Sequence, residues 1–280
     1  MGVGMRFKSM LSFAWLGLLL LSHLACVPVQ SQNAITGKRQ FVSLTPEEEV
    51  KLGREAVPEM VKQGGGLDPD LRLQALVKAV GTRVVDNSAA KMSRYPFEFR
   101  LLADKKVANA FALPGGQVCI TRALLDHFDN EAQLAGVLGH EIGHVVGRHS
   151  AEHLTEAMGI NVLVGIIGVA ASDPNNPNKG QRAAGLAALG GNLVNLKFTR
   201  DDESQADVLG LRFMSEAGYN PNAMLGVMQI LKSLGSGGVE WFQSHPNPEN
   251  REEKLRGEIS RRYPTGIPAA LTLGASLKKR

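Results

Sequence analysis

The stretch VLGHEIGHVV, residues 137–146, sets His140, Glu141 and His144 inside an otherwise apolar run. A buried helix tolerates three such side chains only when something binds and neutralises them. At 3.6 residues per turn, positions four apart project about 40° from each other, so both imidazoles share one face. Glu141 projects about 60° from His144, beside that face. This is the H-E-x-x-H arrangement, in which two histidines hold zinc and the glutamate is the base toward water. The flanking Leu134, Val137, Leu138, Val145 and Val146 are expected to fix the helix in the core, and Gly139 and Gly143 to leave room close to the metal.

A second segment fits the same ion. In RDDESQADVLGLRF, residues 200–213, Glu203 and Asp207 stand about one helical turn apart. Glu203 is expected as the third ligand of one zinc per chain, which leaves a fourth position for water, as catalytic zinc requires. Asp207 is expected to accept a hydrogen bond from the outer nitrogen of His140 or of His144 and so fix its tautomer. The inverted H-x-x-E-H spacing of HSAEH, residues 149–153, competes with this reading. On one continuous helix, however, His149 lies about 140° from His144, and its neighbours are polar. His149 and His153 are therefore expected at a solvent-facing end of the same helix.

The amino terminus reads as a secretory signal. A basic start with Arg6 and Lys8 precedes a short apolar run that ends at small residues and Cys26. Residues 1–25 are assigned to the signal, and Cys26 is the expected lipidated residue of a bacterial lipoprotein. Cleavage near Ser31 is the alternative. Removing Arg6 and Lys8 takes the formal charge from +4 to +2, which gives no electrostatic case for nucleic acid. No phosphate-binding G-x-x-x-x-G-K-[ST] loop is present, so a nucleotide enzyme is disfavoured. Two cysteines define no disulfide framework.

Residues 26–43 are polar and are expected to form a flexible tether, with one domain over 44–265 and a tail over 266–280. A capping box at Thr45 and Glu48 starts a helix that Pro58 is expected to kink or split. Asp68 and Pro69 start a second helix, which carries Leu73, Leu76, Val77, Val80 and Val84 on one side. FEFRLLA, VANAFALP and GQVCIT read as strands, and helical patterns follow them. The fold class is thus α+β: a mostly helical domain with a small antiparallel sheet and an active-site HEXXH helix. The apolar segment 160–172 is too short to cross a bilayer and reads as a buried or surface helix.

Four elements in order, NAFALPGG (109–116), HEIGH (140–144), ESQAD (203–207) and SHPNPENR (244–251), give the chain a family likeness over about residues 45–262. It resembles the gluzincin-type HEXXH zinc metallopeptidases that include HtpX, the prenyl-protein protease of the endoplasmic reticulum and periplasmic BepA-like proteases. The resemblance implies a zincin-like fold and an edge strand at Asn109, Ala110, Phe111, Ala112, Leu113 and Pro114 that pairs with extended substrate. It also implies that His245 approaches the metal, stabilising an oxyanion or blocking the resting site, and that Arg251 holds that segment or the substrate carbonyl. Two departures are read against the family: no multiple membrane spans, and no helical-repeat domain after Arg262. The expected function is a zinc metalloendopeptidase acting on misfolded or unassembled envelope proteins, periplasmic and anchored to the outer membrane by lipid. The alternative is a zinc-containing chaperone or assembly factor for outer-membrane proteins with latent protease activity.

Overall fold

The computed structural model describes residues 29–157, 196–234, 245 and 250–278. The expected signal, Cys26 and the apolar segment 160–172 lie outside the described residues.

A hairpin comes first, β1 (Val29–Gln32) and β2 (Arg39–Val42), with Gln32 opposite Arg39. From Val29 onward the expected tether is therefore folded chain. Gln40 and Val42 point inward while Arg39 and Phe41 are exposed. The polar residues serve a helix end instead of water: Asn33 Nδ2 donates to the Val146 carbonyl and Gln40 Nε2 to the Gly147 carbonyl. These carbonyls belong to a helical last turn, which has no partners of its own.

Helix α1 (Pro46–Gln63) begins at the expected capping box and runs on through Pro58 without splitting. Helix α2 (Leu71–Asp86) is capped by Asp70, while Asp68 accepts the Asp70 N–H just outside the helix. Val77, Val80 and Val84 are buried as the periodicity requires, and Leu73 and Leu76 pack at the margin.

Strands β3 (Glu98–Leu102), β4 (Ala110–Leu113) and β5 (Gln117–Thr121) form a sheet in the order β3-β5-β4. The β4–β5 pair is antiparallel but β3 runs parallel to β5, so the sheet is mixed where an antiparallel one was expected. Alternating residues specify which face a side chain takes and say nothing about strand direction. The β4–β5 turn uses Gly115 at φ 75°. A Cβ there would lie 2.3 Å from the Val50 Cα, so glycine is what lets the turn reach α1.

After the short helix α3 (Arg122–Leu125) comes α4 (Glu131–Gly147), which carries HEIGH. Every residue from Ala132 to Gly147 is buried. Asn130 caps its start by accepting the Gln133 N–H. The N–H groups of Glu131 and Ala132 donate to the Ala275 and Leu273 carbonyls, so the carboxy-terminal segment straps the first turn of α4. At the other end Arg148 is left-handed, φ 58°, and a new helical segment begins at residue 149.

Helices α5 (Arg200–Glu216), α6 (Asn222–Leu234) and α7 (Arg251–Arg262) complete the described elements. The glycines of α4 do not make room for a metal as expected; they make room for α5. A Cβ on Gly139 would stand 2.9 Å from the Gly210 carbonyl oxygen, and one on Gly143 would stand 2.9 Å from that of Ala206. The two helix backbones therefore pack in direct contact, which brings the acidic face of α5 to the imidazoles of α4. The result is an α+β, mostly helical, zincin-like domain. Among the described residues no helix is long and apolar enough to cross a membrane.

Candidate metal centre

One helix face delivers His140 and His144 together, their Nε2 atoms 3.0 Å apart. Glu203 meets them from α5, with Oε2 3.6 Å from His140 Nε2 and Oε1 3.4 Å from His144 Nε2. His245 joins the same cluster, its Nδ1 3.3 Å from His140 Nε2 and 2.8 Å from Glu203 Oε1. One donor atom from each of these four buried residues lies within 4.8 Å of all the others, a group that could hold a metal ion.

The donor set fits such an ion on its own chemistry. His140 Nδ1 lies 3.0 Å from Asp207 Oδ1 and donates to it, since an ionised carboxylate only accepts. His140 Nε2 then presents a lone pair toward a second imidazole nitrogen 3.0 Å away. Lone pairs so placed repel unless a proton or cation lies between them. Ligand atoms on tetrahedral zinc, with bonds of about 2.0–2.1 Å, stand roughly 3.3 Å apart, and the separations here bracket that distance.

Electrostatics divide the carboxylates into two kinds. Burial opposes ionisation of Glu203, but His245, His144 and His140 around it prevail and hold its carboxyl well below the usual range. Burial likewise opposes ionisation of Asp207, and Arg251 and His140 outweigh it. Glu141 behaves differently: burial pushes its carboxyl up to about 8 against the pull of His140. Among the described residues no side chain hydrogen-bonds either Glu141 oxygen, and Oε1 is 3.6 Å from His245 Nε2. Burial also drives the His144 imidazole well below its ordinary value, which keeps it neutral and able to bind a cation.

Of the two histidines open to Asp207 in the sequence, the structure selects His140. Arg251 is buried beside the cluster. Its Nε and Nη2 bond Asp207, and Nη1 stands 3.0 Å from Glu203 Oε2, an ion pair without hydrogen-bond alignment. It therefore braces the two carboxylates.

The expectation for HSAEH is overturned. His149 is fully buried, its Nδ1 3.0 Å from His144 Nδ1 and its Nε2 2.8 Å from Gln205 Oε1. His153 is largely buried and bonds Asp202 at 2.8 Å. The angle drawn on one continuous helix does not apply, because the left-handed Arg148 turns the chain back toward α5. Sequence reading also missed Phe198, whose ring stacks on His144 with centroids 4.0 Å apart. No local pattern marks that residue.

Strand β4 forms the edge of the described sheet beside this cluster. A cavity of about 360 Å³ opens next to it, lined by Phe111, Ala112, Leu113, Phe198 and His245 among others. The N–H of Ala112 faces Glu141 and favours its ionised form.

Residues 71–259, a span that includes every residue of the cluster, match Peptidase family M48. The beta-barrel assembly-enhancing protease of Yersinia pestis is 31% identical over 248 residues, 85% of this chain and 49% of that protein. Mitochondrial metalloendopeptidase OMA1 of Schizosaccharomyces pombe is 29% identical over 244 residues, 85% of this chain and 67% of that one. Metalloprotease YcaL of Escherichia coli is 27% identical over 190 residues, 68% and 69% respectively. The chain spans about half the length of the beta-barrel assembly-enhancing proteases it matches.

Proposed function

This chain belongs to peptidase family M48, and on that premise we propose that it is a zinc-dependent metalloendopeptidase of the bacterial envelope, cleaving misfolded or unassembled envelope proteins. The observation that carries the reading is the convergence of His140, His144 and Glu203 beside a Glu141 carboxylate that no described side chain hydrogen-bonds. The names of the assembly-enhancing relatives support the substrate class. In this reading residues 1–25 are a signal and Cys26 carries the lipid that anchors the chain at the outer membrane.

His140, His144 and Glu203 would hold the zinc ion, with Asp207 orienting His140 and Arg251 bracing Asp207. Zinc bound there supplies Lewis acidity, lowering the pKa of water to about 7 and polarising a carbonyl. Glu141 accepts the proton from the attacking water and passes it to the leaving amine. His245 donates a hydrogen bond to the carbonyl oxygen as negative charge develops on it. The edge strand from Asn109 to Pro114 pairs with extended substrate by strand addition, and the adjoining cavity receives an apolar side chain.

His245 stands among the donors in the described arrangement, which supports a latent state in which it must withdraw before substrate enters. That observation also favours a second reading, a zinc-containing assembly factor for outer-membrane proteins. Rescue of envelope integrity by Glu141→Gln in a null strain would select the second reading. The primary test is zinc analysis of the purified chain together with casein cleavage. One zinc per chain, with cleavage abolished by a chelator and restored by zinc, is expected; cleavage that survives complete metal removal overturns the proposal.

A further inference from the structure

The buried His149 has no part in the chemistry above, yet its surroundings form a chain of hydrogen bonds that ends on a ligand. Its ring stands edge-on to His144, centroids 5.0 Å apart, with the two Nδ1 atoms at 3.0 Å. On its far side Nε2 meets Gln205 Oε1 at 2.8 Å and lies 3.7 Å from Asp202 Oδ1. Both oxygens are acceptors only, so the proton of His149 sits on Nε2. His149 Nδ1 then offers a lone pair and must accept from His144 Nδ1–H. That leaves the lone pair of His144 on Nε2, the atom facing His140 and Glu203.

We propose that His149, oriented by Gln205, is a positioning residue that fixes the metal-binding tautomer of His144, as Asp207 does for His140. The inference rests on the metallopeptidase reading and adds to it a role that the H-E-x-x-H motif does not contain. The local fold is built for this contact. Arg148 in the left-handed region turns the chain after α4, and Gly147 leaves space for the ring: a Cβ there would lie 2.4 Å from His149 Nε2. The helix carrying Glu203 also carries Gln205, so one element supplies both a ligand and the group that sets its partner's proton.

Reversing the hydrogen-bond sense at Gln205 must reverse the whole chain. A donor there moves the His149 proton to Nδ1 and the His144 proton to Nε2, which blocks ligation. The test is the zinc dissociation constant of the full chain, measured by chelator competition, with long-range proton–nitrogen spectra reporting histidine tautomers with and without zinc. His149→Phe, which removes the acceptor, is expected to weaken zinc binding by about 10–100-fold. Gln205→Glu keeps an acceptor and is expected to bind near the parental value. Gln205→Lys presents a donor and is expected to lose affinity by about the same 10–100-fold, with His144 protonated on Nε2. Should His149→Phe not fold, the half-buried Gln205 pair carries the test. Parental affinity in Gln205→Lys, or a His144 proton on Nε2 in the parental zinc-loaded chain, overturns this inference alone. A parental chain that takes up no zinc overturns both it and the metallopeptidase reading.

Discussion

Arg251 grips the Asp207 carboxylate with two hydrogen bonds, Nε to Oδ2 at 2.8 Å and Nη2 to Oδ1 at 2.6 Å. The same Oδ1 takes the His140 proton, so a residue of α7 controls a ligand of α4 through one of α5. Removing the cation leaves Asp207 and Glu203 buried with less compensation. Arg251→Leu is therefore expected to destabilise the metal-free protein by about 3–5 kcal/mol in urea unfolding. Arg251→Lys keeps the charge without the planar fork and is expected to restore only part of that loss. Unchanged stability in both variants would return Arg251 to a role on the substrate.

Glu141 separates metal binding from chemistry, because its carboxylate is not one of the four clustered donors. Glu141→Gln is expected to keep one zinc per chain while casein cleavage falls by about 10²–10⁴-fold. Zinc content and initial rates on the same preparation check both halves. Parental rates at full zinc content would remove the base assigned here.

The contact between α4 and α5 depends on Gly210, where a Cβ would lie 2.7 Å from the His140 nitrogen and 2.9 Å from the Gly139 carbonyl carbon. Gly210→Ala must push the helices apart and is expected to cost about 1–3 kcal/mol. Zinc affinity should fall with it, because Glu203 rides on the displaced helix. Gly257 on the exposed side of α7 has no described atom within 4 Å of an added Cβ. Gly257→Ala is expected to gain about 0.4–1 kcal/mol by restricting the unfolded chain. Thermal melts of the two alanine variants should therefore shift in opposite directions.

His153 gives the fold a pH dependence away from the metal. Its hydrogen bond to Asp202 raises the imidazole above the usual 6.5, against some desolvation. A raised folded value means that the stabilisation is fully present below pH 6.5 and disappears as the pH climbs through the raised value. The melting temperature of the parental chain, relative to His153→Gln, is expected to decline as the pH rises from about 6 to about 9. A difference that stays flat over that range would show that the pair does not titrate with folding.

The sequence alone determined the local geometry of this protein. Helical periodicity puts His140 and His144 on one face and Glu203 and Asp207 one turn apart whatever surrounds them, because the backbone sets that spacing. The same logic located the capping box at Thr45 and the inward face of α2. Tertiary structure decided which groups meet. Asp207 serves His140 and not His144, Arg251 reaches the Asp207 and Glu203 carboxylates, and β3 runs parallel to β5, because strand direction and helix crossing are settled by contacts far apart in the chain. His149 was missed because a left-handed Arg148 carries no glycine signal. A non-glycine residue there costs about 1–2 kcal/mol, and its bonds to Glu49 and the Leu44 carbonyl, both about a hundred positions away, offset it.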